Sequence, residues 1–310
     1  MSTHSFSSFE AFFDANRHAN LRAMVLGPDR GDWVLTNMVV DRLGVQFGQA
    51  GGNAVVEGAP QPGGVSIFIL TQGLSAMSGN GHRFDDQTLL VVQPGDDFCL
   101  AADSWRRWCS LYIPNEELAA ANPDAPNAVA SMRGVCRLTP HRMERFRSVI
   151  QQLDEAVQQV PDAFKSTAAQ RAARQKLVPE IRTALAVPQE VESTHGRHQF
   201  PRNQIIRTSM DFVEQCGGEY LSVEQLASAA SVSERTLRDA FQQYFGVAPV
   251  QYLNRRTLHQ VRRALKAADP SVATVTEIAT QFGVWQLGRF ARDYRVLFGE
   301  LPSETLHRMH

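Results

Sequence analysis

Seven basic residues, Arg235, Arg238, Arg255, Arg256, Arg262, Arg263 and Lys266, stand against a single acid, Asp239, between positions 235 and 266. A helix face that meets only water ordinarily mixes both signs, so this bias points to phosphate as a partner, with a merely solvated basic face as the alternative. The net charge of −1 conceals the asymmetry: residues 1–199 carry 18 Lys and Arg against 21 Asp and Glu, whereas residues 200–310 carry 13 against 11. Residue types suited to catalysis or metal binding are sparse. The stretch 33–114 holds one histidine, His82, on a glycine-flanked turn, and one imidazole cannot hold a metal. No GxSxG elbow, P-loop or HExxH is present, so catalytic residues, metal and cofactor are expected to be absent. Cys99, Cys109, Cys136 and Cys216 form no CxxC pair and read as reduced thiols. Arg42, Arg106 and Arg107 adjoin predicted strands and are candidates for holding an acidic ligand, against the alternative of plain surface charge. Trp105 and Trp108 lie three apart and cannot both point inward on a strand of period two. One is expected to line a cavity and the other to pack under helices.

The elements that must position these groups fall into three regions. At 310 residues the chain is long enough for about two domains. From Trp33 to Pro114, short apolar runs such as VSIFILT (65–71), TLLVVQ (88–93) and WRRWCSLYI (105–113) are separated by GG, QPGG, GNG and PGD turns. That punctuation predicts an antiparallel β-barrel or sandwich. A helical stretch follows, in which Met143, Phe146, Ile150, Leu153, Val157 and Val160 are spaced 3, 4, 3, 4, 3. This seam fits two arrangements: packing on the chain's own barrel, or a dimer interface. A second helix, about 165–186, carries Ala173, Leu177, Ile181 and Leu185 on one stripe. Polar residues 188–199 read as a linker between a domain at 1–187 and an all-α domain at 200–310. No run of 18 apolar residues exists to span a membrane, and the first residues lack the basic-then-apolar order of a secretory signal, so the cytoplasm is expected.

The all-α region repeats itself. Residues 222–246 match 274–299 at an offset of 52, rising to 53 after one inserted residue: Leu226 pairs with Ile278, Val232 with Val284, Leu237 with Phe290, Phe241 with Tyr294 and Gly246 with Gly299. Ser222-x-x-Gln225 and Thr274-x-x-Glu277 are capping boxes that satisfy free N–H groups at a helix start. Each opens a short helix, a tight turn and a second helix, which is the plan of a helix-turn-helix unit. Between the copies, Pro249 to about Ala267 reads as one helix of roughly 28 Å, stopped by Ala268-Asp269-Pro270. Successive major grooves on one face of B-DNA lie about 34 Å apart, so such a spacer suits two units on adjacent grooves.

The segment SERTLRDAFQQYFGVAPVQYLNRRTLHQVRRAL (233–265), continued by LGRFARDYRVLFGELPSETL (287–306), closely resembles the AraC/XylS family of bacterial transcription regulators, most of all the branch of XylS-type and ethanolamine-operon regulators. The resemblance covers about 110 residues. It implies an α+β protein: an N-terminal cupin-like antiparallel β-barrel with flanking helices that sense a small-molecule effector and pair protomers into a homodimer, and a C-terminal double helix-turn-helix. It implies that Arg235, Thr236, Arg238 and Asp239 in the first copy, and Gln286, Arg289 and Arg292 in the second, face base edges of double-stranded promoter DNA. Arg can bond bidentately to guanine and Gln to adenine, with phosphate contact or surface pairing as the alternative for the arginines. Arg255, Arg256, Arg262 and Arg263, on the spacer helix, are candidates for phosphate or for pairing within the chain. An activator of a catabolic operon would also meet RNA polymerase. A metal-free barrel enzyme with a DNA-binding appendage, or a constitutive DNA-binding protein with the barrel as scaffold, are the rival readings. One departure stands out: Gly283-Val284 replaces the family's usual Gly-Phe, which predicts looser packing in the second unit.

Overall fold

The computed structural model describes residues 2–16, 19–28, 33–74, 77–117, 132–185, 200–217 and 220–308. The linker predicted at 188–199 lies outside the described residues. The chain forms two compact units, one of residues 1–23, 31–51 and 56–196, the other of 24–30, 52–55 and 197–310.

The first unit is built on two β-sheets, the larger of them antiparallel throughout. Seven strands, β1 (Ser2–Phe6), β3 (Trp33–Val40), β4 (Leu43–Ala50), β11 (Arg106–Pro114), β6 (Gly64–Gln72), β9 (Thr88–Val92) and β12 (Gly134–Arg137), are hydrogen-bonded in that order. Five more, β2 (Ala19–Val25), β5 (Ala54–Pro60), β10 (Phe98–Ala102), β7 (Met77–Gly79) and β8 (His82–Arg83), form the other. The predicted barrel region therefore takes the form of a double sheet. It also recruits segments outside 33–114: β1, helix α1 (Phe9–Asp14), β2 and β12. Helix α1 starts where the Ser8 hydroxyl accepts the Ala11 N–H, and it buries Phe9 and Phe12.

Side-chain parity explains why the runs of the larger sheet read as nearly continuous apolar stretches. On one face Val45, Phe47, Ile67, Leu89, Val91, Cys109 and Leu111 join the main core, and the neighbouring residues on the other face line a cavity. Two helices, α2 (Pro140–Gln159) and α3 (Thr167–Leu185), cover the core face. Met143, Phe146, Ile150, Leu153 and Val157 are all buried there, together with Leu177, Ile181 and Leu185. The heptad-like seam thus packs on its own sheet. A dimer interface through these residues is corrected by that burial, and of the six only Val160, 55% exposed past the helix end, stays at the surface. The Arg107 guanidinium clamps α2 from below, donating to both oxygens of Asp154 at 2.6 and 2.8 Å.

The second unit is helical throughout its C-terminal part: α4 (Phe200–Gln215), α5 (Val223–Ala229), α6 (Glu234–Phe245), α7 (Pro249–Ala267), α8 (Val275–Gln281), α9 (Leu287–Phe298) and α10 (Pro302–His307). Helix α4 packs on α5 and α6, while α10 packs on α8 and α9, so each copy is closed by one extra helix. Helix α7 touches α6, α8 and α10. Among the described residues no helix is long and apolar enough to cross a membrane.

Candidate nucleic-acid interface

Both capping boxes form. In the first copy Gln225 N–H donates to the Ser222 hydroxyl at 3.1 Å and Ser222 N–H to the Gln225 side chain at 2.8 Å. In the second, Glu277 N–H donates to Thr274 at 3.2 Å and Thr274 N–H returns to Glu277 at 2.9 Å. Hydrogen bonds from Thr274 hold the Glu277 carboxyl below its ordinary range. The turns superpose in their bonding: Val232 N–H donates to Ala227 O at 3.0 Å, and Val284 N–H to Ala279 O at 3.1 Å. Each turn passes through a left-handed residue, Ser231 (φ 54°) or Gly283 (φ 75°). A Cβ at Gly283 would lie 2.8 Å from that of Tyr220, so glycine is required there for space as well as for backbone. The position of Val284 is half-buried, as is that of Val232.

Helix α6 is capped by Ser233, whose hydroxyl accepts Thr236 N–H at 3.2 Å. Its inward stripe, Leu237, Phe241 and Phe245, is buried, with Phe241 and Phe245 in edge contact at 5.1 Å. In α9 the stripe is Phe290, Tyr294 and a half-buried Phe298. Because these stripes point inward, all seven sequence-predicted base-facing residues are exposed: Arg235, Thr236, Arg238 and Asp239 on α6, and Gln286, Arg289 and Arg292 at the start of α9. Arg289 and Arg292 approach Asp293 at 3.5 and 3.4 Å, in surface pairs too exposed to hold them. Trp285, beside Gln286, is 80% exposed and was not singled out by sequence reasoning. The signal available was an aromatic residue at the mouth of a recognition helix.

The spacer helix α7 separates its four arginines. Arg263 is exposed and Arg255 half-buried. Arg262 is buried: it pairs with the carboxylate of Glu300 at 3.2 Å and lies over the Phe298 ring at 4.4 Å. Arg256 donates to the Val213 carbonyl at 2.9 Å and meets the Gln260 amide. Arg262 and Arg256 thus take the alternative of pairing within the chain, Arg262 with a buried carboxylate and Arg256 with a backbone carbonyl. Glu300 is the hub of the second copy's end, also accepting from Thr305 at 2.8 Å and pairing with Arg308 at 2.9 Å.

The first unit carries a separate cavity of about 70 Å³ between its sheets. Phe12, Phe13, Phe68, Phe98, Trp108 and Leu100 make it apolar, while Arg106, Ser66, Gln46 and Asn16 supply polar groups. Of the three arginines considered from sequence, only Arg106 faces it. Arg107, one residue on, points to the helix layer, and Arg42 pairs with Glu116 at 2.8 Å on the surface. Burial pulls the Arg106 guanidinium down to about 10, which leaves it charged at neutral pH, and it donates to the Ser104 carbonyl at 3.0 Å. Among the described residues the buried Ser66 hydroxyl finds no hydrogen-bond partner. Trp108 lies against β4 where Gly48 offers no Cβ: one built there would fall 2.1 Å from the indole. Trp105 is 40% exposed, so the expectation that it packs under the helices is corrected. Phe12, Phe13, Asn16 and Leu21 come from the first 21 residues, which sequence reading left without elements. Among the described residues no group of three or more His, Cys, Asp or Glu could hold a metal. Cys99, Cys109, Cys136 and Cys216 are free thiols, and burial pushes those of Cys99 and Cys109 upward.

Two helix-turn-helix units, each with an exposed, arginine-bearing recognition helix, define a DNA-binding regulator. Known proteins agree: a family described as helix-turn-helix domain matches residues 226–308. The XylDLEGF operon transcriptional activator 2 of Pseudomonas putida is 38% identical over 109 residues, which are 34% of this chain and 69% of that protein. A longer XylDLEGF operon transcriptional activator from the same organism is 28% identical over 245 residues, 78% of this chain and 74% of its own. The crystal structure of a probable AraC family transcriptional regulator from Rhodopseudomonas palustris is 35% identical, with 34% of this chain and 95% of that one covered at a TM-score of 0.31. The chain belongs to the AraC/XylS family of transcriptional regulators.

Proposed function

We propose that this protein is an effector-responsive activator of a catabolic operon, working in the cytoplasm as a homodimer that meets RNA polymerase at promoter DNA. The observation that carries the effector half is the cavity of the first unit, apolar on most sides with the charged, buried Arg106 on its wall. Among small-molecule effectors, that charge favours a carboxylate over an amino-alcohol, because a buried cation gains most from an anionic partner. The small volume favours a compact acid. Arg235, Thr236, Arg238, Asp239, Gln286, Arg289 and Arg292 read base edges in this scheme, and Arg255 and Arg263 remain for phosphate. The division at 1–187 and 200–310, with 188–199 as linker, assigns sensing and DNA binding to separate regions. An effector acts by binding the DNA-competent arrangement more tightly than its alternative.

A thermal-shift screen of the full chain against compact acids and their amides tests the effector half. A ligand at a hundred times its Kd should add about 2.7 kcal/mol to the unit it binds. The acid should raise the melting temperature, its amide should not, and Arg106→Gln should abolish the difference. Equal shifts from acid and amide would remove Arg106 from the site. No shift from any compact acid would leave the double sheet as a scaffold.

A further inference from the structure

We infer that Trp285 is a specificity-determining residue of the second helix-turn-helix unit, making an apolar contact with the 5-methyl group of one thymine in the major groove. The inference rests on the reading of both units as base-reading. Trp285 directly precedes Gln286, the first capping position of α9, and its side chain is 80% exposed. It stands just ahead of α9, whose first turns expose Arg289 and Arg292, so an exposed aromatic residue sits at the mouth of the arginine-bearing helix. The inner face is filled by Phe290, Tyr294 and Leu297, which are buried. Nothing in the fold requires a large aromatic here. The turn is completed by Gly283 and by the Val284 N–H bond to Ala279, and the helix starts without a side-chain cap. The first copy places the Ser233 cap at the corresponding entry and exposes only polar groups around it.

The occupant follows from the surroundings. Two exposed guanidinium groups, those of Arg289 and Arg292, follow within the first turns of α9, which suits a polyanion and disfavours a hydrophobic protein surface. In a major groove the apolar feature open to such a side chain is the thymine methyl. The first unit then reads by hydrogen bonds, and the second by a methyl contact beside arginine.

The test starts from sites selected in vitro with the full-length chain, so that failure to select any sequence counts against the DNA-reading assignment itself. Each thymine of the second half-site is then replaced by deoxyuridine, which deletes the methyl and keeps every hydrogen-bonding group. One replacement should weaken the wild-type chain about threefold to tenfold. Trp285→Ala should show the weakened binding on the unmodified site and no further loss on the deoxyuridine site, while Trp285→Phe should retain part of the discrimination. The side chain is exposed, so both variants should melt with the wild type. Should Trp285→Ala not fold, Trp285→Gln replaces it in the same cycle. Persistence of the deoxyuridine penalty in the variant overturns the proposal. So does a loss that is uniform over all sequences, which would mark a backbone contact.

Discussion

In the first helix-turn-helix copy the recognition helix begins with a serine cap, and its turn forces Ser231 into the left-handed region. In the second, the turn has glycine, the helix starts uncapped at Gln286, and the far end is tied by Glu300 to Arg262, Arg308 and Thr305. The equivalent of Glu300 after the first copy's Gly246 is Val247. Two copies of one plan are therefore fastened at opposite ends, the first where the helix enters and the second where it leaves. Sequence similarity measures the shared skeleton. Stability and the freedom of each recognition helix depend on the fastenings, which are not shared.

That contrast can be broken most forcefully at Glu300. Glu300→Ala leaves buried Arg262 without its acid and should cost about 3–5 kcal/mol in urea unfolding, whereas Val247→Ala should cost under about 1 kcal/mol. Equal losses at the two positions would refute the idea that the second copy is tied at its exit. Next in size, Arg238→Ala should remove about 1–3 kcal/mol of discrimination at one base of the first half-site, read by competition binding. A uniform loss over all sequences would make it a phosphate contact. Smaller still, the two turns should respond with opposite signs. Ser231→Gly relieves a left-handed serine and should stabilise by up to about 1 kcal/mol, while Gly283→Ala meets both the backbone and Tyr220 and should destabilise by about 1–2 kcal/mol. The entry caps give a further contrast: Ser233→Ala should cost about 1 kcal/mol and Gln286→Ala close to none, measured by thermal unfolding. Finally, Arg263→Ala should lower the salt slope of DNA binding by about one and Arg256→Ala should leave it unchanged, because Arg256 donates to the Val213 carbonyl while Arg263 is exposed.

The helical region was legible because its signals are local and occur twice. Caps at Ser222, Thr274 and Ser233, the Pro249 start and the stripes at 3- and 4-residue spacing each fix a boundary without knowledge of distant contacts. The strands of the first region were legible from their turns, but the cavity was not. A sheet buried on both faces erases the polar–apolar alternation that tells inside from outside, so Arg106 and Arg107 looked alike. Their register shifts between Arg107 and Trp108 against β6, which only the pairing reveals. The seam from Met143 to Val157 was ambiguous for another reason: a helix lying on a sheet and a helix in a coiled coil need nearly the same spacing. The buried salt link from Arg262 joins residues far apart in sequence, and nothing in the basic run distinguished it from its exposed neighbour Arg263.

The larger sheet of the first unit interleaves two inventories in the same strands. Residues 46, 66, 68, 90, 92, 106, 108 and 110 face the cavity, and 45, 67, 89, 91, 109 and 111 hold the core. Under the proposed function, sensing and folding are thus written in alternate letters of one text. A lineage can revise the first set, one position at a time, to suit another ligand while the second set goes on specifying the same scaffold. The same spelling rule tells a designer where a biosensor's taste can be rewritten: change the cavity letters and leave every neighbour alone.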